Sequence, residues 1–390
     1  MIYDNTIDEL LEEAKGFEKR NGYKAAFVSD WTPSNEHIRK INLKATKEIS
    51  STVNKYAYLY SIDDIGYKAK FEKFCAIKNG LRLYNSGFSL FANSTVSLYT
   101  VFKYLKIKGH QNILCFTPCY FASESALISL QFKLVFYSDI PDNNNTAELE
   151  NIIKDKNIDC LLVTDPIFGF GVAYTIDKYR KLIEVCKQYN ISLIIDYSYG
   201  NMVWSEDDHI VNHQLLEILD SGNINYFIVD CLPKKTFLNG IKFSLLFSNI
   251  GNIYEIEHVA LFVEGSISAE QVKCYYACYD HQNATMINKI INQYIKKAKN
   301  TYKLLQSFLL NYEATISAVN SGIFAAVGIP RTCSSQQDME TAKKFLREQG
   351  VFIIPHTRYH FFDKSRYFFR LNLLLEHELI FPALAKILEK

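Results

Sequence analysis

The chain carries no excess of charge: among its 390 residues Lys and Arg number 43 against 42 Asp and Glu, a formal net charge of +1. A surface so balanced offers no bulk attraction for nucleic acid or for an anionic membrane, and neither is expected as a partner. No uncharged apolar run is long enough to span a bilayer. The opening stretch, MIYDNTIDELLEEAKGFEKR, is acidic and amphipathic at helical spacing and lacks the charged-then-apolar order of a signal peptide. There is no internal repeat, no low-complexity segment and no Pro/Gly/Ser-rich linker. A paired metal-ligand spacing is also missing. The nine cysteines are odd in number, several sit inside apolar runs, and only Cys274 and Cys278, ahead of His281, approach a ligand pattern, without a second pair. They read as reduced thiols of a cytoplasmic protein, the helical pair facing the core, and no metal site is expected.

What the chain does have is enough apolar material, 48% hydrophobic and 14% aromatic, to bury a large core, and a length that suits one large and one smaller domain. From about residue 85 to 250, short runs rich in Val, Ile, Leu and Phe alternate with segments of helical period. The runs are NILCF (112–116), KLVFY (133–137), CLLVT (160–164), SLIID (192–196), YFIVD (226–230) and FSLLF (243–247). Between them, residues 176–189 place Tyr179, Leu182, Ile183 and Cys186 on one helical face. Such alternation predicts an α/β fold with a doubly wound, mostly parallel sheet. Beyond residue 250 a long helix over 268–310 leads to strands at GIFAAVG and FIIP and a final helix, HELIFPALAKILEK.

Doubly wound sheets bind ligands beyond the carboxyl ends of their strands, which makes the polar residues there the candidates: Asp165, Asp196, Asp230, Lys234 and Lys235. FANSTVSLY (91–99) sets Ser94 and Thr95 at a turn opening a helix, where free amides, hydroxyls and the helix dipole suit a phosphate. TPCYFAS (117–123) projects Tyr120 from a strand end, where an aromatic can stack on a flat ring. In LIIDYSYGNMVW (193–204), Asp196 ends an apolar strand, so its carboxylate needs a cationic or hydrogen-bonding partner, and Tyr199 follows three residues later.

This ordered set resembles the aminotransferase class I/II family of fold type I pyridoxal 5′-phosphate (PLP) enzymes, over about Tyr58 to Asn372. DYSY resembles the family's Asp-x-x-Tyr, PCY its Pro-x-aromatic, and RLN its carboxylate-binding arginine. The resemblance implies a large PLP-binding domain over 50–275 and a small α+β domain made of 1–49 with 276–390. It implies PLP stacked on Tyr120, its ring nitrogen held by Asp196 and its phenolic oxygen by Tyr199, with Ser94, Thr95, Asp165 and Cys231 around it. Arg370 matches the arginine for the substrate's α-carboxylate, and Tyr60, six residues before Gly66, matches a tyrosine that reaches the neighbouring subunit's phosphate, which implies a homodimer. Trp31, in the loop SDWTPSNEHI, is a further substrate-binding candidate.

The family's Schiff-base lysine lies six residues before a glycine and eight before a basic phosphate-binding residue. Gly240 and Lys242 fit both counts from Lys234 and neither from Lys235, whereas KTF, beginning at Lys235, looks locally like the family's lysine environment. The spacing favours Lys234 and leaves Lys235 as the alternative.

Three positions depart from the family pattern. In TDPIFGFG (164–171) the residue expected to be an asparagine that bonds the coenzyme's phenolic oxygen is Phe168. The usual arginine eight residues after the lysine is Lys242, and the usual serine three before it is Cys231. His356 and His360, in PHTRYH, are placed to line the substrate pocket. The expected activity is therefore transfer of an α-amino group to a 2-oxo acid. Lyase, decarboxylase, cyclase or oxidase chemistry on a modified amino acid is the alternative that Phe168 raises. A non-catalytic PLP-fold regulator is the reading of another class.

Overall fold

The computed structural model describes residues 6–30, 71–73, 75, 81–83, 86–138, 146–238, 242–265, 267–331, 334 and 337–389. Within them twelve strands are described. A two-residue strand β1 (Ala26–Phe27) precedes the large sheet, which is built from β2 (Ser86–Phe91), β3 (Asn112–Thr117), β4 (Lys133–Ser138), β5 (Cys160–Thr164), β6 (Ser192–Asp196), β7 (Tyr226–Asp230) and β8 (Ser244–Asn249). The sheet runs in the order β2-β8-β7-β6-β5-β3-β4. Strands β4, β3, β5, β6 and β7 are mutually parallel, and β8 is antiparallel to β7 and to β2.

The six apolar runs read from the sequence form six of these seven strands; for the inner strands the reason is burial on both faces, whereas in the edge strand β4 only Tyr137 is buried. Every residue of β6 and β7 is buried, so Val, Ile, Leu and Phe follow one another without polar alternation. The helix Ile176–Tyr189 buries the expected face, Tyr179, Leu182, Ile183 and Cys186. Thr175 caps its start, and Asn190 in the left-handed region ends it. Strand β2, SGFSLF, is also fully buried, but its serines and glycine hide it from an apolar-run criterion.

The rest of the chain forms a second layer. β9 (Thr315–Ile316), β10 (Phe324–Pro330) and β12 (Arg366–Asn372) make a three-stranded antiparallel sheet in the order β12-β10-β9, while β11 (Val351–Phe352) pairs in parallel with β1. Helices Thr6–Asn21, Asp338–Gln349 and His377–Leu388 pack beside these strands. The single long helix expected over 268–310 is instead two, Ala269–Tyr279 and His281–Leu309. Asp280 between them is extended (φ −65°, ψ 144°), and its carbonyl accepts from the Ala284 amide at 2.7 Å. An aspartate ends one helix and opens the next because its short acidic side chain favours the N-cap over a helix interior. Among the described residues no helix is long and apolar enough to cross a membrane.

Candidate active site

Strand register lines up the site. Thr164 and Asp196 are direct partners at the ends of β5 and β6, and Asp196 is opposite Val229 near the end of β7. From β3 the chain passes to β4 on one side and then to β5 on the other, so the topological switch lies between β3 and β5. A cavity of about 250 Å³ opens there. Tyr120 beyond β3, Asp165 and Phe168 beyond β5, Asp196 and Tyr199 at β6, and Lys234 beyond β7 all line it, with Phe324 of β10 opposite.

The two lysines occupy one short helical turn, Leu232–Lys235. Consecutive helical residues are rotated by about 100°, so their side chains diverge. Lys234 faces the cavity, its Nζ 5.2 Å from the centroid of the Tyr120 ring. Lys235 is buried, forms an ion pair with Asp230, and lies 5.5 Å from the Tyr197 ring centroid. Burial opposes a charge on Lys234, but Cys231, Asp196, Tyr120 and Tyr199 outweigh it and hold the amine's pKa above its ordinary value. Burial also raises the Cys231 thiol, and it pushes Tyr199 up to about 12.

Asp196 is buried, and its Oδ1 accepts from the Ser198 hydroxyl at 2.6 Å and the Ser198 amide at 3.1 Å. Tyr199 packs edge-on against Phe324, with ring centroids 5.4 Å apart. Asp165 lines the cavity while its carboxylate accepts from the Tyr174 amide at 3.0 Å and the Tyr179 hydroxyl at 2.5 Å. The Cys231 thiol donates to the Phe243 carbonyl at 3.5 Å.

Arg370 comes from the middle of β12 and is fully buried. Its guanidinium donates to the Ser29 carbonyl at 2.5 Å and lies between two rings, 4.8 Å from the Phe324 centroid and 5.8 Å from that of Phe168. Burial lowers its pKa, and a guanidinium stays charged regardless. The Ser94 and Thr95 pair begins the helix Ser94–Ile107, but the cap is Asn93, whose side chain accepts from the Val96 amide at 3.0 Å. Ser94 is buried and Thr95 exposed, and the first-turn amides of a helix have no acceptor within it. Lys242 is exposed. Trp31, Tyr60, Gly66 and Gly240 lie outside the described residues.

The family model for aminotransferase class I and II matches residues 42–387. The chain belongs to that family. Its members use pyridoxal 5′-phosphate, and the donor set here fits that coenzyme: an amine beside a flat aromatic ring, a buried carboxylate and a phenol around one cavity. Nicotianamine aminotransferase 1 of Oryza sativa subsp. japonica is 26% identical over 194 residues, 46% of this chain but 38% of that protein's length. Among solved structures, YbdL from Escherichia coli, whose reported function is methionine aminotransferase, superposes with a TM-score of 0.78 at 14% identity, covering 100% of this chain and 97% of that one. A double mutant of the Thermus thermophilus aspartate aminotransferase gives 0.79 at 13% identity, covering 99% and 96%. At these identities the superpositions establish the aminotransferase fold.

Within this family frame, the described site also contains a residue that sequence reasoning left out, Phe324 of β10, which lines the same cavity as Lys234. Asp230, one of the strand-end candidates, is the ion-pair partner of Lys235. Asp230 stands five residues before Lys235, a spacing visible in the sequence once the turn between them is known. His356 was placed at the substrate pocket. It is fully buried behind Gly169, whereas His360 pairs with Glu124 at 2.9 Å and stacks on Phe136 with ring centroids 3.7 Å apart, in the loop that joins β11 to β12.

Proposed function

We propose that the chain is a PLP-dependent aminotransferase that takes the amino group of an α-amino acid and passes it to a 2-oxo acid. The observation that carries this reading is the divergence of the two lysines: one amine lies in the cavity beside Tyr120 and Asp196, and the other is consumed by Asp230. When bound, the coenzyme supplies an aldehyde for an amine and an electron-withdrawing ring.

The chain's own residues do the rest. Lys234 carries the coenzyme and then moves the α-proton as base and acid. Asp196, oriented by Ser198, would hold the ring nitrogen in its protonated form. Tyr199 stays protonated and donates from its phenol. Tyr120 would pack against the ring, and the amides opening the Ser94–Ile107 helix, with Ser94 and Thr95, would receive the phosphate. Asp165 and Cys231 complete the coenzyme wall. Arg370 offers its fork to the substrate carboxylate, and Trp31, Tyr60 and Lys242 keep the substrate and phosphate roles that the family resemblance gives them.

A homodimer with the active site at the subunit interface belongs to this reading. The helix Ile250–Val263 supports it by exposing Ile250 (48%), Tyr254 (54%), Leu261 (40%) and Phe262 (91%), an apolar face that a second copy would cover. The large domain is 50–275 and the small domain 1–49 with 276–390. The free, mostly buried cysteines suit a reducing cytoplasm. Phe168 favours a second reading, because an apolar ring stands in the cavity where the family has a donor: elimination, decarboxylation, cyclisation or oxidation of a modified amino acid. A panel of amino acids incubated with the holoenzyme, with and without a 2-oxo acid, separates the two. Turnover that needs the oxo acid supports transamination, and turnover without it overturns transamination in favour of the second reading.

A further inference from the structure

Tyr120 is held from both sides by one short segment of the second layer. The helix Phe121–Ser129 starts directly after it, and the Tyr120 carbonyl accepts from the Ser123 amide at 3.0 Å and the Glu124 amide at 3.4 Å. The Glu124 side chain reaches away from this helix. Its Oε1 lies 2.9 Å from His360 Nε2, and its Oε2 lies 3.8 Å from Arg358 Nη1. On the other side of Tyr120, the Cys119 amide donates to the Tyr359 carbonyl at 3.3 Å. Residues 358–360 thus grip the chain just before Tyr120 and one helical turn after it.

The segment that does this is itself fixed against the large sheet. An acid in the first turn of a helix is ordinarily accounted for by the helix dipole, but both Glu124 oxygens here face side chains far away in the sequence. His360 stacks on Phe136 of β4, with ring centroids 3.7 Å apart and planes at 11°. Its backbone has φ +58°, a left-handed conformation that a non-glycine residue keeps only where its surroundings impose it. The Arg358 guanidinium lies 5.4 Å from the Phe121 ring centroid, and Tyr359 meets Phe168 edge-on at 4.7 Å. Phe121 and Phe168 line the cavity together with Tyr120, so each contact of the segment ends on a wall of the site or on the turn that carries it.

We propose that Glu124 is a positioning residue: held by Arg358 and His360, it fixes the turn that presents the Tyr120 ring to the coenzyme. The inference rests on the PLP reading above and adds to it the contact that sets the stacking ring. Glu124 stands outside the cavity lining and acts through Tyr120. Stacking of flat rings depends on their offset and tilt, so a turn left loose forfeits part of it. A carboxylate suits this task, because its two oxygens accept charge-assisted hydrogen bonds from two partners at once.

The test uses holoenzyme. Dialysis to equilibrium against falling PLP concentrations gives a coenzyme Kd, and visible circular dichroism per mole of bound coenzyme reports the ring's asymmetric surroundings. The visible band of the wild type tests the coenzyme reading by itself; without it that reading fails, and this inference with it. With the band present, Glu124→Ala should raise the Kd about three- to tenfold, the loss of one aromatic contact, and lower the dichroism. Glu124→Gln, which keeps the shape and an acceptor for the His360 N–H, should show a smaller change of the same sign, and it keeps the test open if the alanine variant does not fold. His360→Asn, which tolerates the left-handed backbone, should also raise the Kd, and Glu124→Ala should then add little to it. Kd and dichroism unchanged in the Glu124 variants, or effects of Glu124→Ala and His360→Asn that add in full, would overturn the proposal whatever happens to the melting temperature.

Discussion

Lys234 and Lys235 are adjacent in the chain and opposite in environment. The Lys234 amine sits 5.2 Å from the Tyr120 ring centroid at the cavity, and the Lys235 amine is sealed in the core against Asp230. One helical turn is enough to separate an amine that faces the cavity from one buried in an ion pair.

Removing Lys235 should therefore damage the fold and spare the coenzyme site. Lys235→Met leaves the Asp230 carboxylate buried and uncompensated, and the expected loss is about 3–5 kcal/mol in urea unfolding. Adding Asp230→Leu should recover most of that loss, because replacing a whole buried pair by apolar groups is close to neutral. A double variant no more stable than the single one would contradict the pairing.

Arg370 should matter for substrate binding more than for turnover. Arg370→Lys keeps the charge but loses the parallel pair of hydrogen bonds, and KM for the amino acid should rise by about 10- to 100-fold with a smaller change in kcat. Steady-state kinetics on the best substrate of the amino-acid panel reads both constants.

Phe168→Asn should return a donor to the coenzyme's phenolic oxygen. A hydrogen bond that favours the deprotonated side of the coenzyme-bound Lys234 nitrogen lowers its pKa. The midpoint of the coenzyme's pH-dependent absorbance change should then fall by about one unit. A spectrophotometric titration of wild type and variant decides this, and no downward shift would mean that Phe168 is not the residue that sets this pKa.

His356 carries a pH signature in stability. Its pKa is held at about 3 in the folded protein, against about 6.5 for an unfolded imidazole. Between those values the unfolded chain binds a proton that the folded chain excludes, so this group makes stability fall as pH drops from about 6.5 toward 3. His356→Phe removes that contribution. Its stability relative to wild type should therefore rise steadily as pH is lowered from 7 to 4, as read by thermal melts.

The large sheet was legible because its inner parallel strands β5, β6 and β7 are buried on both faces, which turns each into an apolar run with a polar residue at its end. Asp196 and Lys234 were legible for the same reason, as exceptions at strand ends. Strand β12, which delivers Arg370, was not, since its sequence mixes Arg, Tyr and Asn with Phe and Leu although its last four residues are all buried. The helix break at Asp280 was hidden because apolar residues keep their helical spacing on both sides of it. The meeting of His356 with Gly169 and Arg370 depends on three segments far apart in the sequence, and no local pattern records it.

The most direct measurement is to trap the coenzyme on its amine. Wild-type protein is incubated with PLP, reduced with borohydride and digested, and the labelled lysine is located by mass spectrometry. The account predicts the label on Lys234, and its loss together with the visible band in Lys234→Ala. A label on Lys235, or no label at all, would contradict it.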